Sequence, residues 1–276
     1  MAAGLTEPAL AWELSPAVFL AAAGALAFFG RGFRRLRGRG RSDRAGWWRA
    51  AIFVAAVAVG TLAAVSPLHA AGEAYLLSAH MLQHVLIGDL VPALILLALR
   101  GPLFFHVVPV QAFRGTVGRV VERLLRPGVA LAVWVATFVF WHLPPVYELA
   151  AGQEALHTLE HALFVTSGFL VWAQLVDPAR RRRLTPQWSI AFACVVFVAG
   201  QVLVNTLIIN PNPVYGFYAQ EPVRLFGLSP AEDQQAAALT MMVEQLLTVG
   251  TFVALRVRVL LRMPPGLTPE RHPFAV

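Results

Sequence analysis

The sequence predicts an all-α, polytopic membrane bundle. It reads as one integral membrane unit over residues 1–276, with seven transmembrane helices, the N-terminus outside and the C-terminus cytoplasmic. Three observations carry this. Of the 276 residues, 58% are hydrophobic and only 13% charged, where a soluble domain carries about 25% charged residues. Apolar runs approaching the roughly 20 residues that one span needs recur seven times. The basic residues, all of them arginine, crowd into alternate loops.

The runs lie at about 14–30, 48–66, 75–99, 128–147, 156–176, 187–209 and 236–258. Glu7 and Glu13 precede the first run with no arginine beside them. A signal peptide opens on a basic stretch, so this run reads as a retained anchor. Between runs one and two stand Arg31, Arg34, Arg35, Arg37, Arg39, Arg41, Arg44 and Arg49. Loop 100–127 holds Arg100, Arg114, Arg119, Arg123 and Arg126, and loop 177–186 holds Arg180 to Arg183. Arg256, Arg258, Arg262 and Arg271 follow the last run, which puts 21 of the 22 arginines on one side and leaves Arg224 alone on the other. Cytoplasmic loops carry the positive excess, and that fixes the orientation. The outer loop 210–235, with Pro211, Asn212, Pro213, Tyr215, Phe217, Tyr218 and Pro222, reads as an ordered cap over the bundle mouth.

Composition also excludes functions. The shortage of charge argues against nucleic acid as a partner despite the net charge of +7; arginine runs of this kind are topology determinants lying near anionic lipid. The single cysteine, Cys194, excludes a disulfide framework and thiolate metal cages. Any metal must be held by His, Met, carboxylate or amide.

Eight histidines remain. His106 and His272 map to the cytoplasmic side. His80 and His84 open span three, about 7 and 13 Å below the outer boundary at 1.5 Å per residue. His157 and His161 open span five at about 2 and 8 Å, and His142 lies about 6–8 Å from the outer exit of span four. Each pair has i,i+4 spacing, which puts both rings on one helix face. One histidine in a membrane helix is commonly a hydrogen-bonded packing residue. Five imidazoles from three helices at one depth point instead to a shared metal or cofactor site, because intramembrane ionisable groups are costly and face the bundle interior. His69, in the short outer loop Ser66–Ala74, is either the first ligand an incoming ion meets or incidental.

Imidazole suits zinc, copper, iron and nickel, whereas thioethers select monovalent copper. Span seven enters from outside carrying Met241, Met242, Glu244 and Gln245, with Met241 about 7 Å deep. Methionine in an apolar helix is ordinarily packing material; beside the histidine layer it tilts the choice towards copper. Gln83, Glu160 and Glu244 are candidates to orient a ligand from behind. Asp89 is expected to be a structural acid paired near Arg100, and Gln201 and Asn205 to bond neighbouring helices.

These residues resemble the caa(3)-type cytochrome c oxidase assembly factor family (CtaG-like). The resemblance runs through His80-Met81-Leu82-Gln83-His84 with Pro92 and Arg100-Gly101-Pro102, then Trp141-His142-Leu143-Pro144-Pro145-Val146-Tyr147-Glu148. It continues through His157, Glu160-His161-Ala162-Leu163-Phe164 and Trp172, then Arg224-Leu225-Phe226-Gly227-Leu228-Ser229-Pro230 and Asp233-Gln234-Gln235 leading to Met241. Span seven departs from the family pattern at Ala238, Met242 and Glu244. The resemblance implies a non-enzymatic assembly factor of a bacterial cell membrane that handles copper for a haem–copper oxidase, with oxidase subunits as partners.

On the residues, the leading expectation is copper bound by some of His80, His84, His142, His157 and His161, with Met241. Three other classes stay open. One is a haem-binding electron carrier with axial imidazoles on spans three and five. Another is a membrane metalloenzyme, for which carboxylates at the right depth are sparse. A copper importer is the last, with Asp89 the one feature pointing inward.

Overall fold

The structure, a computed structural model, describes residues 11–108, 114–181 and 184–262. His272, Arg182, Arg183 and Arg271 fall outside the described residues. Among the described residues there is helix and no strand. The long helices are α1 (Pro16–Gly38), α2 (Trp47–Val65), α4 (Leu77–Leu99), α9 (Glu154–Val176), α10 (Pro186–Ile209) and α12 (Pro230–Leu261), and all six are long and apolar enough to cross a membrane. Helix α7 (Pro127–His142) has 16 residues, about 24 Å, and meets α6 (Gly115–Leu124) at a 77° bend; counted together as one broken span, the pair brings the number of candidate crossings to seven. Short helices α3 (Pro67–Ala74), α5 (Pro102–Val107), α8 (Pro144–Ala151) and α11 (Gly216–Ala219) fill the connections.

Proline punctuates the chain. Pro16, Pro67, Pro102, Pro127, Pro144, Pro186 and Pro230 each stand at the start of a helix, where the missing N–H is no loss and the fixed φ suits the first turn. Three ends lie five residues or more from those of the apolar runs, each for a local reason. Helix α1 continues to Gly38 and takes Arg31, Arg34, Arg35 and Arg37 into its last turns, where positive charge complements the helix dipole. Helix α7 stops at His142, short of residue 147, because Leu143 precedes Pro144 and is held in extended backbone (φ −65°, ψ 125°). Helix α12 begins at Pro230, ahead of residue 236. Ser229 and Glu232 form a capping box there, so polar residues that no apolar run could include belong to the helix.

Helices α4 and α9 are the most buried of the spans and cross closely. A β-carbon on Gly168 would collide with the carbonyl oxygen of Gly88. That carbonyl lies four residues before Pro92, which has no N–H to offer it. A π-turn at Leu86–Leu90 accommodates the irregularity. A second π-turn, Leu246–Gly250, lies in α12. The two meet: the Thr248 hydroxyl donates to Asp89 Oδ2 at 3.0 Å.

The loop ahead of α12 is folded. Tyr215 donates to the His142 carbonyl (3.0 Å) and Tyr218 to the Gly72 carbonyl (2.6 Å), while Tyr147 donates to the Tyr218 oxygen (3.2 Å). Arg224 is committed to the carbonyls of Tyr218 and Ala219. Gln234 reaches up from α12 to accept from Val214 N–H and donate to the Leu207 carbonyl. Burial holds the Tyr147, Tyr215 and Tyr218 phenols above their ordinary value, so they remain neutral donors.

Candidate metal centre

The histidine end of α4 is set by a borrowed cap. Leu76, at the cap position, has no side-chain acceptor; Asp233 of α12 supplies one, with Oδ2 accepting from Leu77 N–H (2.7 Å) and Oδ1 from Ser78 N–H (3.1 Å) and the Ser78 hydroxyl (2.5 Å). One turn later comes His80, and His84 follows on the same face. Opposite them, α9 presents His157, Glu160 and His161. The four side chains His80, His84, His157 and Glu160 are buried, and one ligand atom from each falls within 4.8 Å of all the others. The rings pack tightly: centroids are 4.1 Å apart for His80–His84 and His157–His161, 5.2 Å for His80–His157 and 4.8 Å for His84–His161.

Two close contacts bear on which nitrogens are free to bind. His157 Nδ1 lies 2.8 Å from the Glu73 carboxylate. In the neutral ring that carries its proton on Nδ1, towards that carboxylate, Nε2 keeps its lone pair. That Nε2 is buried and has no hydrogen-bond partner. His84 Nε2 is 3.0 Å from His161 Nε2; with His84 donating, its Nδ1 keeps the lone pair, 3.9 Å from Glu160 Oε1 and otherwise unpartnered. His80 is 2% exposed, and neither of its ring nitrogens has a partner. A polar atom buried without a partner costs about 1–3 kcal/mol, and four such nitrogens converge here. A metal ion held by three imidazoles and a carboxylate would satisfy three of them, one from each ring.

The family model for the cytochrome c oxidase caa3 assembly factor (Caa3_CtaG) matches residues 27–262 of the chain. The chain belongs to that family. No curated protein and no solved structure matches it. The family match spans every helix that builds the site, so the His/Glu cluster is a feature of an oxidase assembly factor with multiple membrane-crossing helices.

The other expected residues are placed as follows. His161 stands beside the four as the hydrogen-bond partner of His84. His142 lies across the Phe164 ring, which is 4.9 Å from His84 and 5.7 Å from His142 between centroids. Its Nδ1 donates to the Phe138 carbonyl at 2.8 Å, one turn back. Met241 is packed with Leu77, Met81 and Tyr147. His142, Met241, Glu244 and Asp89 instead line a cavity of about 60 Å³ that also touches His84. Gln83 does not reach the cluster; its amide donates to His69 Nδ1 at 2.9 Å.

Asp89 is not paired at Arg100. Its carboxylate accepts from the Trp172 indole N–H and the Thr248 hydroxyl. Gln201 bonds Gln245 across helices, as expected, at 3.0 Å, whereas Asn205 donates within its own helix to the Gln201 carbonyl. Cys194 is exposed. Glu73 was missed. Its only signal was an H-x-x-x-E spacing to His69, hidden by reading Ser66–Ala74 as a loop when it is helix α3.

Proposed function

We propose that this assembly factor binds copper between α4 and α9 and passes it to a haem–copper oxidase subunit. The observation that carries the reading is His80: a fully enclosed imidazole with both nitrogens unsatisfied, in reach of two further imidazoles and Glu160. The direct ligands are His80, His84, His157 and Glu160, with His161 holding His84 and Glu73 holding His157. His142 and Met241 border the adjoining cavity and take no part in first capture. Imidazole and carboxylate suit divalent copper better than a thioether would, and such ligands exchange more readily than a closed thiolate cage. The arginine asymmetry supports a site near the outer face of a bacterial cell membrane, the level at which an oxidase copper centre would receive its ion. The role is non-catalytic. Haem is disfavoured because the rings already lie 4.1–5.2 Å apart and fill the space of a macrocycle.

The test is metal analysis. Detergent-purified protein is stripped, loaded with Cu²⁺ or Zn²⁺ separately, desalted and assayed. Retention of about one copper per chain is expected from a four-donor site, falling to background in His80→Ala and His157→Ala. Absence of retained copper in the parent, unchanged retention in both variants, or retention of zinc alone would overturn the reading.

A further inference from the structure

The cluster is closed. His80 and Glu160 are each 2% exposed, so an ion from solution needs a route past the first turns of α4 and α9. A chain of polar groups supplies one. Glu13, 57% exposed, lies with Oε2 3.1 Å from His69 Nε2. His69 Nδ1 is 3.5 Å from Glu73 Oε1, and the same Glu73 oxygen is 2.8 Å from His157 Nδ1. His157 is the ligand nearest this opening.

The positions are built. Glu13 is held by its own N–H donating to the Val65 carbonyl at 3.0 Å. Ser66 caps α3, whose winding sets His69 and Glu73 one turn apart on one face. Gly72 packs α3 directly onto the backbone of His80: a β-carbon there would stand 2.9 Å from His80 N. Gln83, one turn beyond His80, donates to His69 Nδ1 at 2.9 Å and fixes that ring. The His69 proton then sits on Nε2, facing Glu13; to take a cation on Nε2 the ring releases the Gln83 amide and carries its proton on Nδ1 instead, 3.5 Å from Glu73 Oε1, so that it stays a neutral imidazole.

We propose that Glu13, His69 and Glu73 form a loading relay that captures a divalent cation at the surface and hands it by stepwise ligand exchange to His157. The proposal rests on the metal reading above and adds a kinetic role for three residues outside the binding set. Glu13 and His69 touch only the ion in transit. Glu73 stands between the two histidines, with one oxygen close to both His69 Nδ1 and His157 Nδ1.

The experiment is stopped-flow loading of the stripped, full-length protein in nanodiscs with Cu²⁺, followed by quenching of tryptophan fluorescence, with release into excess chelator measured alongside. In a Glu13→Gln/His69→Ala variant, loading slows by about tenfold or more and loses much of its ionic-strength dependence. Final stoichiometry and half-saturating copper stay at parent values. Release must then slow by the same factor, because both directions use one path. Glu13→Gln alone, at an exposed position, gives the same effect in smaller measure with no risk to folding. Parent-like rates in both variants, or weakened equilibrium binding with loading unchanged, overturn the relay while leaving the metal site standing. A parent that binds no copper overturns both.

Discussion

Asp233→Ala removes the acceptor that starts α4, and its effect can be worked from three contacts. The side chain is 4% exposed and receives two backbone N–H groups and one hydroxyl from Leu77 and Ser78. Losing an ordinary helix cap costs about 0.5–2 kcal/mol. Here the two N–H groups lie under the tyrosine-rich loop, so leaving them unpartnered adds to that, at about 1–3 kcal/mol for a buried group. Relief of a buried carboxylate offsets part of the sum. The expected net loss is about 2–4 kcal/mol. Asp233→Asn keeps one acceptor oxygen but turns an NH₂ towards the remaining donors, and should recover about half. Unfolding in mixed micelles titrated with sodium dodecyl sulfate, followed by circular dichroism, measures both. His80 is one turn from the capped end, so copper affinity should fall in the same order, Ala below Asn below parent. If Asp233→Ala unfolds within about 0.5 kcal/mol of the parent, or if Ala and Asn behave alike, the cap does not organise the site and the reasoning fails.

Two further outcomes follow from the packing. Gly168→Ala places a methyl against the Gly88 carbonyl; both are backbone positions in helix, so neither can rotate aside, and α4 and α9 must part. Overpacking of this kind costs about 1–3 kcal/mol, and copper retention should drop although no ligand has changed; retention at parent level with parent stability would show that the crossing is looser than it looks. The tyrosines give a pH signature. Tyr147, Tyr215 and Tyr218 ionise more readily unfolded, near the ordinary 10.0, than folded. Their contribution is complete below pH 10 and is lost as pH rises above it, at up to about 1.4 kcal/mol per pH unit for each phenol. Tyr218→Phe should flatten the alkaline limb of stability against pH by one such increment, and an unchanged slope would count against burial as the cause.

The histidine layer was legible because two features survive in one dimension. An i,i+4 pair lies on one helix face whatever the tertiary structure, and depth follows from counting residues in from a boundary. Those rules bring out His80/His84 and His157/His161, and the fold brings both pairs together. They fail where a side chain's partner lies on another element. His142 has the right depth, yet the Phe164 ring stands between it and His84, and depth carries no azimuth. Met241 shares the level; it packs with Leu77 and Tyr147 and lines the cavity beside His84. Asp233 and Gln234 were excluded from span seven because an apolar window rejects polar residues, although these two are buried and satisfied by partners from α4, α10 and the capping loop. Glu73 shows the same limit from the other side. Its chemistry depends on eight residues between Ser66 and Tyr75 being helical, which Ser66-Pro67 announces as a helix start. A short helix under a membrane cap buries too little apolar surface to leave a periodic signal, and what fixes it is contact: Gly72 against His80, and Tyr218 on the Gly72 carbonyl. The candidate ligands are therefore encoded locally, while the groups proposed to orient and feed them are encoded in which helices touch.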